Sequence, residues 1–416
     1  MKTLNRWVYA AIGVLVLLFA GMVYAWSVLS SPIAVEYAEW TKAQLSLTFT
    51  IVMIFFCIGC TAGGFFINKF NAKIYVWVSA VLFLAGYMIS ANISSITMLY
   101  IGFGVICGFA SGLAYNAVMA TVGKWFPDKQ GLISGILLMG FGLSSFIIGK
   151  VFQACTPETI GAWRVTYKVI GIVTAIVLAL CGFFMEKPGP DYQVKASAKE
   201  KNSAINPVAR ELTTPQMLKT PQFWLYFVWA ILLSAAGLAI TSQAAGMARE
   251  VGPGVDAGTI ATVVGLISIA NGVSRVIMGA AYDKVGRSAV MLIVSVLFIV
   301  AGAVFIFSFS LQSFALVTFA FIIGGVAYGG VTPTNSAFIS SYFGMKNYPL
   351  NFSMVNMNLL VASFGSTVAG ALYDSSQSYV STYIMLIVLA VLGIIVSVAI
   401  SSCDNKLQRE MEQAKN

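Results

Sequence analysis

Twelve apolar stretches, each about as long as a helix needs to cross a bilayer, leave this chain few folds to choose from. They run over about 7–31, 44–67, 74–91, 96–122, 131–153, 166–185, 222–247, 257–281, 288–309, 312–341, 349–373 and 379–402. A crossing helix needs about 20 mainly apolar residues. The hydrocarbon holds no water to bond the backbone, so runs of this length satisfy their own polar groups as helices and not as strands. Composition agrees: 59% of the residues are hydrophobic and 9% are charged, against roughly 25% charged in soluble domains. Such a surface meets lipid. The expected class is an all-α membrane protein.

The first run is too long for a signal-peptide core and lacks a small-residue cleavage site, so it is expected to remain as the first span. One long polar stretch, about Glu186–Thr220, opens with Pro188-Gly189-Pro190 and divides the spans six and six. The expected organisation is an N-terminal six-helix bundle over 1–185, a cytoplasmic linker over 186–220, a C-terminal bundle over 221–403 and a cytoplasmic tail over 404–416. Placing both termini and the linker in the cytoplasm puts 18 of the 24 Lys and Arg residues on the inner side, among them Lys2, Arg6, Lys69, Lys73, Lys124, Lys129 and Lys346. Five fall outside: Lys42, Lys150, Arg164, Lys168 and Arg249. That asymmetry is the positive-inside pattern. It predicts a multi-pass protein of the cell inner (plasma) membrane with both termini cytoplasmic.

The chain contains no histidine, which removes the commonest general base, metal ligand and pH switch. With no acid inside a span either, an intramembrane enzyme lacks its nucleophile–base pair or metal ligands. Cys57-x-x-Cys60 has the spacing of a redox or zinc half-motif, but no second pair accompanies it, and packing is the simpler reading. The net charge of +9 belongs to cytoplasmic loops, and no basic stripe argues for nucleic acid. No metal and no cofactor are expected, and a receptor would need a larger signalling region than this linker and tail.

The two halves resemble each other. Gly64-Phe-Phe-Ile-Asn68-Lys69 follows the second span and Gly279-Ala-Ala-Tyr-Asp283-Lys284-Val-Gly286-Arg287 follows the eighth, 215 residues later. Gly112-Leu-Ala-Tyr115 in the fourth span recurs as Gly325-Val-Ala-Tyr328 in the tenth, at an offset of 213. Six-plus-six parallel repeats around a midplane site are a secondary-transporter architecture. The Gly-x-x-x-Asp-Lys-x-Gly-Arg loop resembles the signature loop of the major facilitator superfamily. Asn5-Arg6-Trp7-x-Tyr9, Trp125-Phe-Pro-Asp-Lys-x-Gly131 and Leu218-Lys-Thr-Pro-Gln-Phe-Trp224 resemble the bacterial oxalate/formate antiporter family, related to the monocarboxylate transporters. The resemblance implies the superfamily's fold of twelve helices in two pseudo-symmetric six-helix bundles. It also implies a gating role for Asp283, Lys284 and Arg287, with Asn68 replacing the acid in the N-half loop.

Sorting the charges by position leaves one well inside a predicted helix, Arg275, eight residues before Asp283 and so roughly 12 Å of helix away. An arginine in the membrane costs at least about 2.5–3.5 kcal/mol on insertion scales and usually marks a substrate or ion pathway; the competing reading is a snorkelling side chain. Its planar fork matches a carboxylate. The resemblance adds that the family's carboxylate-binding arginine falls on Arg275. Asn271, four residues earlier, shares its helix face and either orients the fork, contacts substrate or packs helices. The family's second cation falls on Asn358, so one cation remains, which favours a monocarboxylate of the lactate or pyruvate type over a dicarboxylate. Tyr24, Tyr115 and Tyr328 match tyrosines of the related antiporters and offer hydroxyls; Asn116 and Asn335 are further polar candidates.

The expected mechanism is alternating access by a monomer, with a small carboxylate anion and a proton as its partners and lipid around it. Proton symport follows from the resemblance. The missing intramembrane acid leaves the proton to the substrate itself or to a rim acid such as Asp256 or Asp374, and it keeps carboxylate exchange open as the alternative.

Overall fold

The computed structural model describes residues 5–40, 42–66, 70–157, 159–189, 192 and 209–413. Among the described residues every regular element is helical. The first six spans are α1 (Arg6–Ala25), α2 (Lys42–Phe66), α3 (Ala72–Ala91), α4 (Ile96–Trp125), α5 (Gln130–Cys155) and α6 (Trp163–Gly182). After α7 (Pro221–Val251) comes a continuous element from Ala257 to Ser310. At 1.5 Å per residue it would extend about 80 Å, far more than the roughly 30 Å of hydrocarbon. It is two spans, α8 (257–285) and α9 (287–310). Gly286 at φ 77° and ψ −179° breaks the helix between them, a conformation that glycine adopts without penalty. α10 (Phe314–Phe343), α11 (Tyr348–Ser376) and α12 (Val380–Gln413) complete the twelve.

Three elements differ from their sequence expectation. The first apolar run is not one helix: its backbone tightens to 3-10 geometry over Gly21–Ala25 before the short helices Trp26–Leu29 and Ser31–Glu36. α4 contains a π-helical stretch, Tyr100–Cys107, a local widening that changes which face the following turns present. α12 runs on as helix through the expected tail to Gln413. Its polar end is made of good helix formers (Lys, Leu, Gln, Arg, Glu), and Asp404 anchors it to Arg287 and Tyr342.

The chain forms two compact units. One comprises Met1–Pro127, Ile136–Val194 and Tyr348–Met354; the other comprises Asp128–Gly135, Lys195–Asn347 and Val355–Asn416. The partition follows the polar linker except that the first turns of α5 and α11 change sides. In the first unit α2 packs along α4 and α3 along α6. Arg164 ties three elements together there. Its Nη2 donates to Glu36 Oε1 (2.7 Å) and its Nη1 to the carbonyls of Ala91 and Ile93 (both 3.1 Å). In the second unit α10 packs on α8 and α9, and α7 on α12. The end of the linker closes α10: the amides of Arg210 and Leu212 donate to the carbonyls of Tyr342 and Phe343 (3.0 and 3.1 Å), which a helix C-terminus leaves unsatisfied. Large apolar side chains such as Val81, Val165 and Val398 stay exposed, as they must on a surface solvated by lipid.

Candidate functional site

The charged centre is built by α8 and held by α10. Gly325 and Gly329, one turn apart, let the two backbones close on each other: a Cβ on Gly325 would lie 2.7 Å from the Ile267 carbonyl, and one on Gly329 would overlap that of Asn271. The Ser274 hydroxyl donates to the Val326 carbonyl (2.5 Å). On this seam the Arg275 Nε donates to Asn271 Oδ1 at 2.9 Å. Asn271 is buried and Arg275 half-buried. The amide therefore holds the guanidinium through its Nε.

Tyr328 is half-buried on α10, beside Gly329, which meets the Asn271 backbone. Its ring leans on α7 at Gly237, where a Cβ would overlap the ring. Asn358 and Asn335 lie in the same unit but are tied into packing. The Asn358 Oδ1 accepts from Ser234 (3.1 Å) and its Nδ2 donates to the Val355 carbonyl (2.6 Å); the Asn335 Oδ1 accepts from Tyr226 (2.8 Å).

The other candidates form a separate cluster in the first unit. Tyr24 sits in the 3-10 stretch and meets Phe49 and Phe141 edge-on, with centroids 5.9 and 5.3 Å away. Tyr115 meets Phe141 and Phe56, both at 5.2 Å, and stacks on Phe352 at 5.7 Å. Thus Tyr24 and Tyr115 share one ring, Phe141, which the sequence offers no means of ranking among 29 phenylalanines. Asn116 is fully buried and points elsewhere, its Nδ2 donating to the Pro349 carbonyl (2.7 Å) and to Cys60 Sγ (3.4 Å). Its Oδ1 has no hydrogen-bond partner among the described residues. Cys57 and Cys60 are buried and form no disulfide, and no cluster of metal-ligating side chains occurs among the described residues.

The loop residues are engaged. The Asp283 carboxylate accepts from the amides of Gly131 and Leu132 (2.7 and 2.8 Å) in the first turn of α5, all within the second unit. Arg287, buried, pairs with Asp404 (3.0 Å) and donates to Tyr342 and Ser401 (2.8 and 3.0 Å). Lys284 is exposed. Asn68 lies outside the described residues. Of the two rim acids, Asp374 is exposed at the end of α11. Asp256 caps α8: it accepts from the Thr259 hydroxyl (2.7 Å) and amide (2.9 Å), and these bonds hold its carboxyl below the usual range. A carboxylate stabilised in this way is a poor proton carrier near neutral pH.

Comparison with known proteins adds the following. The profile of the Major Facilitator Superfamily matches residues 10–258 and 235–413. The chain is 26% identical to "Uncharacterized MFS-type transporter YhjX" of Escherichia coli (strain K12) over 86% of each chain. It is 27% identical to the oxalate:formate antiporter of Oxalobacter formigenes over 70% of this chain and 66% of that one. Monocarboxylate transporter 12 of Xenopus laevis is 29% identical over 30% of this chain and 26% of its own length. Among solved structures, the human organic anion transporter MFSD10 (TETRAN) superposes with a TM-score of 0.69 at 12% identity, covering 95% of this chain and all (100%) of that one.

Proposed function

Because the chain belongs to the Major Facilitator Superfamily, a multi-pass membrane class of transporters, we propose that it moves a small monocarboxylate of the lactate or pyruvate type by alternating access, as a monomer with both termini cytoplasmic. The observation that carries this reading is the Arg275–Asn271 pair. A guanidinium set within an apolar span and oriented through Nε by an amide one turn away is a fixed, planar cation of the kind that suits a carboxylate. The relatives agree in chemical class, since their names concern oxalate, formate and monocarboxylates.

Arginine does not release its proton at accessible pH, so it is the anion's ligand and not the proton's carrier. Taking up anion and proton together keeps the cycle electroneutral. With Asp256 bound into a helix cap, the proton travels on the substrate acid. Carboxylate exchange is the second reading, favoured by the antiporter relative that aligns with 70% of the chain.

Uptake of labelled lactate into proteoliposomes separates the two. Accumulation driven by an inward proton gradient into empty vesicles supports symport. Uptake that needs preloaded anion supports exchange. Arg275→Ala should abolish uptake of any carboxylate while the protein still accumulates in the membrane, and Arg275→Lys should restore only a fraction. Full transport by Arg275→Ala would remove the basis of the assignment.

A further inference from the structure

We propose that Gly237 on α7 sets the size of acid that fits beside Arg275, because its missing side chain is the space into which the Tyr328 ring is drawn. The inference rests on the carboxylate reading above. A Cβ built on Gly237 overlaps Cδ2 and Cγ of Tyr328 and comes within 2.8 Å of its Cβ, so it meets the root of the side chain and not only a movable tip. Helix α10 is fixed against α8. Gly325 and Gly329, flanking Tyr328 on either side, are already in backbone contact with α8 at Ile267 and Asn271, and Ser274 bonds to Val326 across the same seam.

A methyl group at position 237 therefore swings the ring instead of shifting the helix. The ring that moves off α7 belongs to the residue next to Gly329, whose close approach to the Asn271 backbone sets α10 against the turn that orients Arg275. Displacing it takes volume from the surroundings of the fork. Space for the carbon tail is lost while the guanidinium and its Asn271 bond on α8 are untouched. The specificity of this site is thus shared between a cation on α8 and an absent side chain on α7.

The test compares labelled acetate, lactate and butyrate uptake in proteoliposomes, read as ratios so that a general loss of activity cancels. Gly237→Ala should lower the lactate-to-acetate ratio by about 10-fold or more, the discrimination that one methylene's worth of pocket commonly produces. Tyr328→Ala should raise the butyrate-to-acetate ratio, and adding Gly237→Ala to it should leave the ratios unchanged. An unaltered ratio in Gly237→Ala overturns the proposal. So does an equal drop with and without the Tyr328 ring. If Gly237→Ala fails to accumulate in the membrane but the double variant accumulates, the ring is what the methyl group meets, and the butyrate ratio of Tyr328→Ala decides. If neither accumulates, position 237 serves packing alone and the proposal falls. Wild-type protein that takes up none of the three acids overturns the carboxylate reading itself, a result distinct from transport with unaltered selectivity.

Discussion

Arg275 donates through Nε to Oδ1 of Asn271, 2.9 Å away across one turn of α8. A hydrogen bond to a charged group contributes about 1.5–3 kcal/mol. Asn271→Ala should therefore raise KM for the transported acid roughly 10- to 100-fold, with the protein still present in the membrane. Asn271→Asp should be worse, because a fixed carboxylate competes with the substrate for the same guanidinium. An unchanged KM in Asn271→Ala would leave the amide with a packing role only.

The first turns of α5 lie directly on the turn that carries the arginine. A side chain on Gly135 would overlap the Arg275 carbonyl and sit 2.8 Å from the Cα of Val276. Forcing extra atoms into such a contact typically costs about 1–3 kcal/mol. Gly135→Ala should lower thermal stability in detergent and reduce uptake together. Gly265→Ala is the control, since nothing lies within 4 Å of a Cβ there. Equal behaviour of the two variants would refute the contact.

Asp283 supplies negative charge and two acceptors to the start of α5 through Gly131 and Leu132. Losing a side-chain cap costs about 0.5–2 kcal/mol, and the helix dipole adds to it. Asp283→Ala should speed amide hydrogen exchange at Gly131 and Leu132, with a smaller effect for Asp283→Asn. Protection that survives in the alanine variant would show that the carboxylate is not what orders this turn.

Arg287 and Asp404 form a buried pair, with 3% and 14% of their side chains exposed. Removing one partner of a buried pair leaves an uncompensated charge and typically costs about 3–5 kcal/mol. Asp404→Ala should melt well below wild type, whereas an apolar double replacement, Arg287→Met with Asp404→Leu, should recover much of the loss. A double variant no better than the single one would show that the hydrogen bonds to Tyr342 and Ser401 dominate.

Asp256 gives a pH dependence with a definite sign. Bonds from the Thr259 side chain and amide depress its folded pKa, so its contribution is complete above the unfolded value and is lost as pH falls through the lowered folded one. Exchange protection in the first turn of α8 should persist through neutral and mildly acid pH and fail only below the ordinary aspartate range. Asp256→Asn, which can also cap, should leave the pH profile of uptake unaltered. A shifted profile would make Asp256 a proton carrier after all.

Local features were legible because they are written in short windows. The spans come from apolar density within about 20 residues. Arg275 stands out as a charge inside such a window, and Asn271 follows from helical spacing. The break between α8 and α9 falls at Gly286, inside the loop that the repeat had marked. The 3-10 stretch at Tyr24 and the π turns in α4 were not readable, since Gly21–Ala25 and Tyr100–Cys107 are as apolar as the helix on either side.

The amino-acid sequence by itself determined that this chain crosses a membrane twelve times, that its halves repeat, and that one guanidinium sits where lipid would reject it. Only the tertiary structure decided what each polar group meets. Arg287 finds Asp404 117 residues along the chain, Asp283 finds Gly131 152 residues back, and Asn358 finds Ser234 at a separation of 124. Such pairs form across packed helices, and their partners are chosen by which glycines let two backbones close, as at Gly325, Gly329 and Gly135. Hydrophobicity assigns a residue to the membrane, but contact at hydrogen-bond distance depends on helix register and separation, and those exist only once the helices are packed.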